Sequence, residues 1–109
     1  MTQEITDLLI RLRSFRDARN WQQFHSPKNL AISVSIEASE LLELFQWELD
    51  SGSVTAQIKA RVEDEAADIF LYLLMLCDKL GVDLIQAASD KIDTNETRFP
   101  VSRSYGIPK

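Results

Sequence analysis

Residues 69–76 read Ile-Phe-Leu-Tyr-Leu-Leu-Met-Leu, and ten large apolar residues lie between Leu30 and Leu49, spread around the whole circumference of a helix. A helix that is apolar on every side has to be covered on every side. Two further helices from a chain of 109 residues cannot do this, because small domains bury proportionately little of their surface. The remedy is a second copy of the chain. The fold class that follows is all-α, a four-helix bundle completed by oligomerisation.

The helix limits are written in local signals. Ile5, Leu8, Leu9, Leu12 and Phe15 form a helical stripe over residues 3–18, with Thr2 as its cap. Ser26 followed by Pro27 starts a second helix, which runs to about Asp50 and ends in Ser51-Gly52-Ser53. Ser53 begins a third, through Leu80, and Gly81 supplies the left-handed residue that ends it. Asp83 caps a fourth, which stops before Pro100 because a residue preceding proline avoids the α region. Residues 101–109 read as a C-terminal tail of a single domain, 1–109. Three glycines and three prolines are too few for a sandwich or barrel with many tight turns.

Several classes are excluded on composition. No apolar run approaches the ~18 residues of a membrane span, and the N-terminus mixes charges among its apolar residues, unlike a secretory signal. A lone Cys77 cannot build a disulfide framework and suits a reducing cytoplasm, so the expected localisation is cytoplasmic. The net charge is −5, and residues 37–68 hold nine acidic residues against two basic ones, Lys59 and Arg61. Such a block repels a phosphate backbone, and no basic stripe elsewhere compensates. Neither nucleic acid nor membrane is an expected partner.

Within the apolar helices stand Glu37 and Glu40, then Glu65 and Asp68. Each pair is spaced i, i+3, which places both carboxylates on one helical face where they repel. Four such groups facing one another in a greasy bundle need cations between them. An all-oxygen ligand set points to Mg²⁺, or Mn²⁺, rather than zinc. A di-iron bundle would require Glu-x-x-His on two helices, and the only histidine, His25, stands before Ser26-Pro27 with Gln22 three residues ahead of it. Trp47, seven residues after Glu40, and Tyr72, four after Asp68, share helical phase with the acids and suit a ligand carrying both a flat base and phosphates. Lys91, Asn95 and Arg98 fall on one face of the fourth helix and can hold phosphate oxygens.

These residues carry a resemblance. Trp21-Gln-Gln-Phe-His25, Pro27-Lys-Asn29-Leu, Glu37-x-x-Glu40 leading into Glu43-Leu-Phe-Gln-Trp47, Glu65-x-x-Asp68, and Lys91-x-Asp-Thr-Asn95-x-x-Arg98-Phe-Pro100 follow one another in order over residues 15–107. The chain resembles the MazG-like all-α nucleoside triphosphate pyrophosphohydrolases, most closely their dCTP pyrophosphatase branch. The resemblance implies that Glu37, Glu40, Glu65 and Asp68 are the Mg²⁺ ligands, and that Trp21, His25, Trp47 and Tyr72 enclose base and sugar. It implies that Asn29 is a polar neighbour of that pocket, and that Lys91, Asn95 and Arg98 stand near the phosphates. It further implies a homodimer or homotetramer with pockets built between chains.

The expected reaction is Mg²⁺-dependent hydrolysis of a (deoxy)nucleoside triphosphate, dCTP or a modified dCTP, to the monophosphate and pyrophosphate. A metal-bound water attacks the α-phosphorus, with Glu40 as the candidate base. The rival is a non-catalytic oligomerisation module that carries an acidic groove for a protein partner. It accounts for the apolar helices and the negative block. It leaves unexplained the recurrence of i, i+3 acids, aromatics and a basic face in phase on separate helices.

Overall fold

The computed structural model describes residues 2–47 and 54–108. Helix α1 spans Gln3–Ala18, and the Thr2 hydroxyl accepts from the Ile5 N–H at 3.4 Å. Asn20 then takes φ 54°, a left-handed turn that asparagine adopts more readily than most side chains, and leads into a 3-10 turn over Trp21–Phe24. Helix α2, Pro27–Glu43, starts as its sequence requires, with Ser26 Oγ accepting from the Asn29 N–H at 3.1 Å and proline at the first position.

Helix α2 stops earlier than its apolar pattern predicts. Leu44 and Phe45 donate to Leu41 and Leu42, the tighter i to i−3 pattern that closes a helix, and Leu44–Trp47 continue as turns. Asp50 and the Ser51-Gly52-Ser53 breaker lie outside the described residues. Helix α3 is Ala56–Leu80, and its cap is Thr55 rather than Ser53: the Thr55 hydroxyl accepts from the Ile58 N–H at 3.2 Å. Gly81 ends α3 at φ 69°. Asp83 caps α4, Leu84–Arg98, accepting from the Gln86 N–H at 3.1 Å. The expected tail contains a further short helix, α5, Val101–Ser104, because Pro100 pre-sets the entry and its carbonyl accepts from Arg103.

The architecture is all-α, and no strand occurs among the described residues. Helix α2 packs along α3, and Leu30 and Leu74 between them are almost wholly buried. Helix α1 lies against α3 through Leu9 and a two-pronged ion pair. Arg13 Nε donates to Asp78 Oδ2 at 3.0 Å, and Nη2 pairs with Oδ1. The Arg13 hydrogen bond holds the Asp78 carboxyl below the usual carboxylate range.

Burial within the chain is thin. Six apolar side chains are buried among the described residues, and α4 and α5 contribute none of them. The radius of gyration is 17.1 Å, where a compact chain of this length would have about 13 Å. No described helix is long and apolar enough to cross a membrane.

Candidate functional site

Packing α2 along α3 sets Glu37 against Glu65 and Asp68. One carboxylate oxygen from each lies within 4.8 Å of the other two. All three side chains are half-buried, and Glu37 Oε2 and Glu65 Oε2 are buried with no hydrogen-bond partner. Among the described residues no lysine or arginine pairs with them. The Glu37 carboxyl is pushed up to about 7, first by a hydrogen bond shared with Glu65, then by burial, then by the neighbouring Glu40 and the charge of Asp68. Glu40 therefore touches the cluster through Glu37, but it is exposed and stands outside the group of three. Two buried carboxylate oxygens without hydrogen-bond partners, with a third carboxylate beside them, suit a hard divalent ion such as Mg²⁺.

Beside the cluster opens a cleft of about 280 Å³. Leu12, Phe15 and Arg16 of α1 form one wall, and Asp68, Leu71, Tyr72 and Met75 of α3 the other, with Trp21 and His25 between them. The connection between α1 and α2 is locally built to present those two. Trp21 packs edge-on to Phe15, centroids 5.7 Å apart at 77°, and the Arg19 guanidinium covers Phe15 at 3.8 Å. Asn29 Nδ2 donates to the Phe24 carbonyl at 3.0 Å and ties the 3-10 turn to the start of α2. His25 Nδ1 is buried without a partner, and burial, then the charges of Arg16 and Lys79, lower the pKa of the ring, which keeps it neutral at pH 7.

The structure thus brings Glu37, Glu65, Asp68, Trp21, His25 and Tyr72 together, with Glu40 at the edge. Asn29 stands beneath the turn and does not line the cleft. Trp47 follows the end of α2, is 89% exposed and does not line the cleft. Lys91 and Arg98 are exposed on α4, and the Arg98 guanidinium sits 5.1 Å from the Phe99 ring. Asn95 is half-buried in a separate groove with Phe99 and Ile107, its Oδ1 unpartnered. None of these three α4 residues lines the cleft within the chain.

The sequence marks Leu12 and Phe15 only as members of the apolar stripe of α1, and it does not mark Arg16 at all. Leu12 and Arg16 are one turn apart, so the spacing that marks the core face of α1 also marks this wall. The basic residue passes unnoticed there as one more surface charge.

Known proteins are similar to this chain. The family model described as MazG-like family matches residues 32–109. Mouse (Mus musculus) dCTP pyrophosphatase 1 is 40% identical over 96 residues, covering 84% of this chain and 56% of its own length. The human (Homo sapiens) dCTP pyrophosphatase 1 is 37% identical over 90 residues, 79% of this chain and 53% of its own. The chain therefore spans a little over half the length of these curated relatives. A crystal structure of a pyrophosphatase from Archaeoglobus fulgidus superposes with a TM-score of 0.79 at 41% identity, covering 92% of this chain and 95% of that one.

Proposed function

The chain belongs to the MazG-like family, and from that premise we propose that it is a divalent-metal-dependent pyrophosphohydrolase. It would convert a deoxynucleoside triphosphate, dCTP or a modified dCTP, to the monophosphate and pyrophosphate. One observation carries the reading: Asp68 belongs both to the carboxylate cluster and to the wall of the aromatic cleft. A site for hard cations and a slot for a flat ring share a residue, as a nucleotide's phosphates and base would require. The names of the mouse, human and Archaeoglobus proteins support the same reaction.

Glu37, Glu65 and Asp68, with Glu40 beside them, would hold Mg²⁺. The ion supplies charge neutralisation for the triphosphate and acidifies a bound water. Trp21 and Tyr72 offer rings to the base, and His25, neutral and with a free Nδ1, offers a hydrogen bond to base or sugar. Glu40, exposed and outside the cluster of three, would take the proton of the attacking water on its carboxylate. Cys77, a buried thiol whose pKa is raised by burial, fits a reducing cytoplasm.

The phosphate-binding half comes from elsewhere in the assembly. Lys91, Asn95 and Arg98 stand apart from the cluster of their own chain, while Ile36 and Leu42 on α2 and Ile92 on α4 are more than half exposed. Pairing of two chains, as a homodimer or a dimer of dimers, would cover these faces and bring a partner's α4 to the carboxylates. The test is product identity. Each dNTP is incubated with enzyme and Mg²⁺, and the products are separated by ion exchange. Metal-dependent release of pyrophosphate and monophosphate is expected, and orthophosphate release or no turnover overturns the reading.

A further inference from the structure

The cleft has two ends of different chemistry, and the reaction proposed above uses only one of them. At the acidic end is Asp68, to which the phosphates are tethered. Farther along α3, Met75 lines the same cleft about 10 Å from Asp68 at 1.5 Å rise per residue. Arg16 belongs to this second end. Arg13, one turn before Arg16 on the same face of α1, pairs with Asp78, which stands ten residues, about 15 Å, beyond Asp68 on α3. A nucleotide held by its phosphates at Asp68 points its base towards Arg16.

The Arg16 side chain is only 20% exposed, and its Nε donates to Asp17 Oδ1 at 2.8 Å. Fixing Nε leaves the two terminal amino groups of a planar fork, which are donors only and cannot accept. Such a fork matches two adjacent acceptors on one edge of a base. Cytosine offers N3 and O2 in this arrangement, and guanine offers O6 and N7. Thymine and uracil place the N3–H donor between their carbonyls, and adenine sets a donor beside each ring acceptor on both edges.

We propose that Arg16 is the base-selecting residue of the cleft, reading adjacent acceptors on cytosine. The proposal rests on the nucleotide-hydrolase reading, and it is tested by binding without turnover. Protein in the presence of Mg²⁺ is titrated calorimetrically with dCMP, dGMP, dTMP and dAMP, monophosphates that carry no phosphoanhydride to hydrolyse, using wild type, Arg16→Met and Arg16→Lys. Wild type should bind dCMP at least about tenfold more tightly than dTMP or dAMP, since an unpaired donor in a semi-enclosed cleft rejects the mismatched edge. In Arg16→Met the preference should shrink to within about twofold. Arg16→Lys should lose it too, because an ammonium lacks the fork.

Equal binding of all four by wild type overturns the proposal, as does a Met or Lys variant that keeps the preference. A uniform loss across all four nucleotides also overturns it, since that would place Arg16 on the phosphate. Tighter binding of dGMP than of dCMP overturns it as well, since the fork would then read guanine O6 and N7. Pyrophosphate release by wild type is assayed separately, so that a failure of the hydrolase reading is seen independently of the selectivity result.

Discussion

The acid-bearing pair α2–α3 and the basic α4 are both helices with charged residues in phase, yet only the pair builds a site within the chain. Helices α2 and α3 bury Leu30, Leu74, Met75 and Cys77, and this packing forces Glu37, Glu65 and Asp68 together at the cost of leaving carboxylate oxygens unsatisfied. Helix α4 buries nothing, and Lys91 and Arg98 remain in solvent. Packing energy therefore holds the repelling acids in place, as the proposed cation site requires. The basic face of α4 has no such packing among the described residues.

The sharpest way to break this contrast is to neutralise one group on each side. Asp68→Asn removes a carboxylate shared by cluster and cleft, and turnover should fall by more than about a hundredfold, about 2.7 kcal/mol, with helicity unchanged. Steady-state pyrophosphate release with circular dichroism checks it. Retention of more than a tenth of the activity would show that the cluster is not the metal site.

A subtler measurement asks where the second half of the site resides. If α4 of one chain serves the carboxylates of another, then Asp68→Asn and Lys91→Ala chains are each poor enzymes, yet mixed dimers contain one intact site. Equal amounts, unfolded and refolded together, should recover up to about a quarter of wild-type activity, since half of random dimers are mixed and each has one good site of two. Recovery absent from the mixture, with both variants still associating by sedimentation, would place α4 and the acids in one chain.

What the sequence made legible follows the same division between local and distant. Thr2, Ser26, Asp83 and Gly81 mark helix ends by hydrogen bonds within three residues or by a single backbone angle, and each is where the spacing predicts. The acid pairs were legible because i, i+3 spacing and apolar surroundings conflict in a way that stability alone does not favour. The end of α2 was not. Leu44, Phe45 and Trp47 continue the apolar pattern, and nothing local marks the change to turns after Glu43, so phase carried forward from Glu40 to Trp47 runs past the end of the helix. Arg16 was hidden for a different reason: only the tertiary approach of α1 to α3 distinguishes a cleft wall from a solvated face.

The smallest expected effect is a pH slope confined to the acid side of the comparison. In the folded, metal-free chain the Glu37 carboxyl titrates at about 7, while the unfolded chain has it at the ordinary 4.5. Between these values the folded state binds the extra proton, so its stability is greatest below pH 4.5 as far as this group is concerned and is lost as pH rises to about 7. The Asp78 carboxyl, lowered by Arg13, acts in the opposite sense and only on the acid side of the usual carboxylate range. His25, whose pKa burial lowers from 6.5, also acts in the opposite sense and inside this interval, so the Glu37 contribution is read as the difference between wild type and Glu37→Gln, which share His25. Melting of chelator-treated wild type should therefore fall by a few degrees between pH 5 and 8 relative to Glu37→Gln, in which the His25 contribution alone remains. Added Mg²⁺ should reverse the trend for wild type, because it competes with the proton for the same oxygens and gains as they deprotonate. An α4 variant such as Lys91→Ala should keep the full wild-type slope. A fall that survives Glu37→Gln would show that the shared proton belongs to another pair.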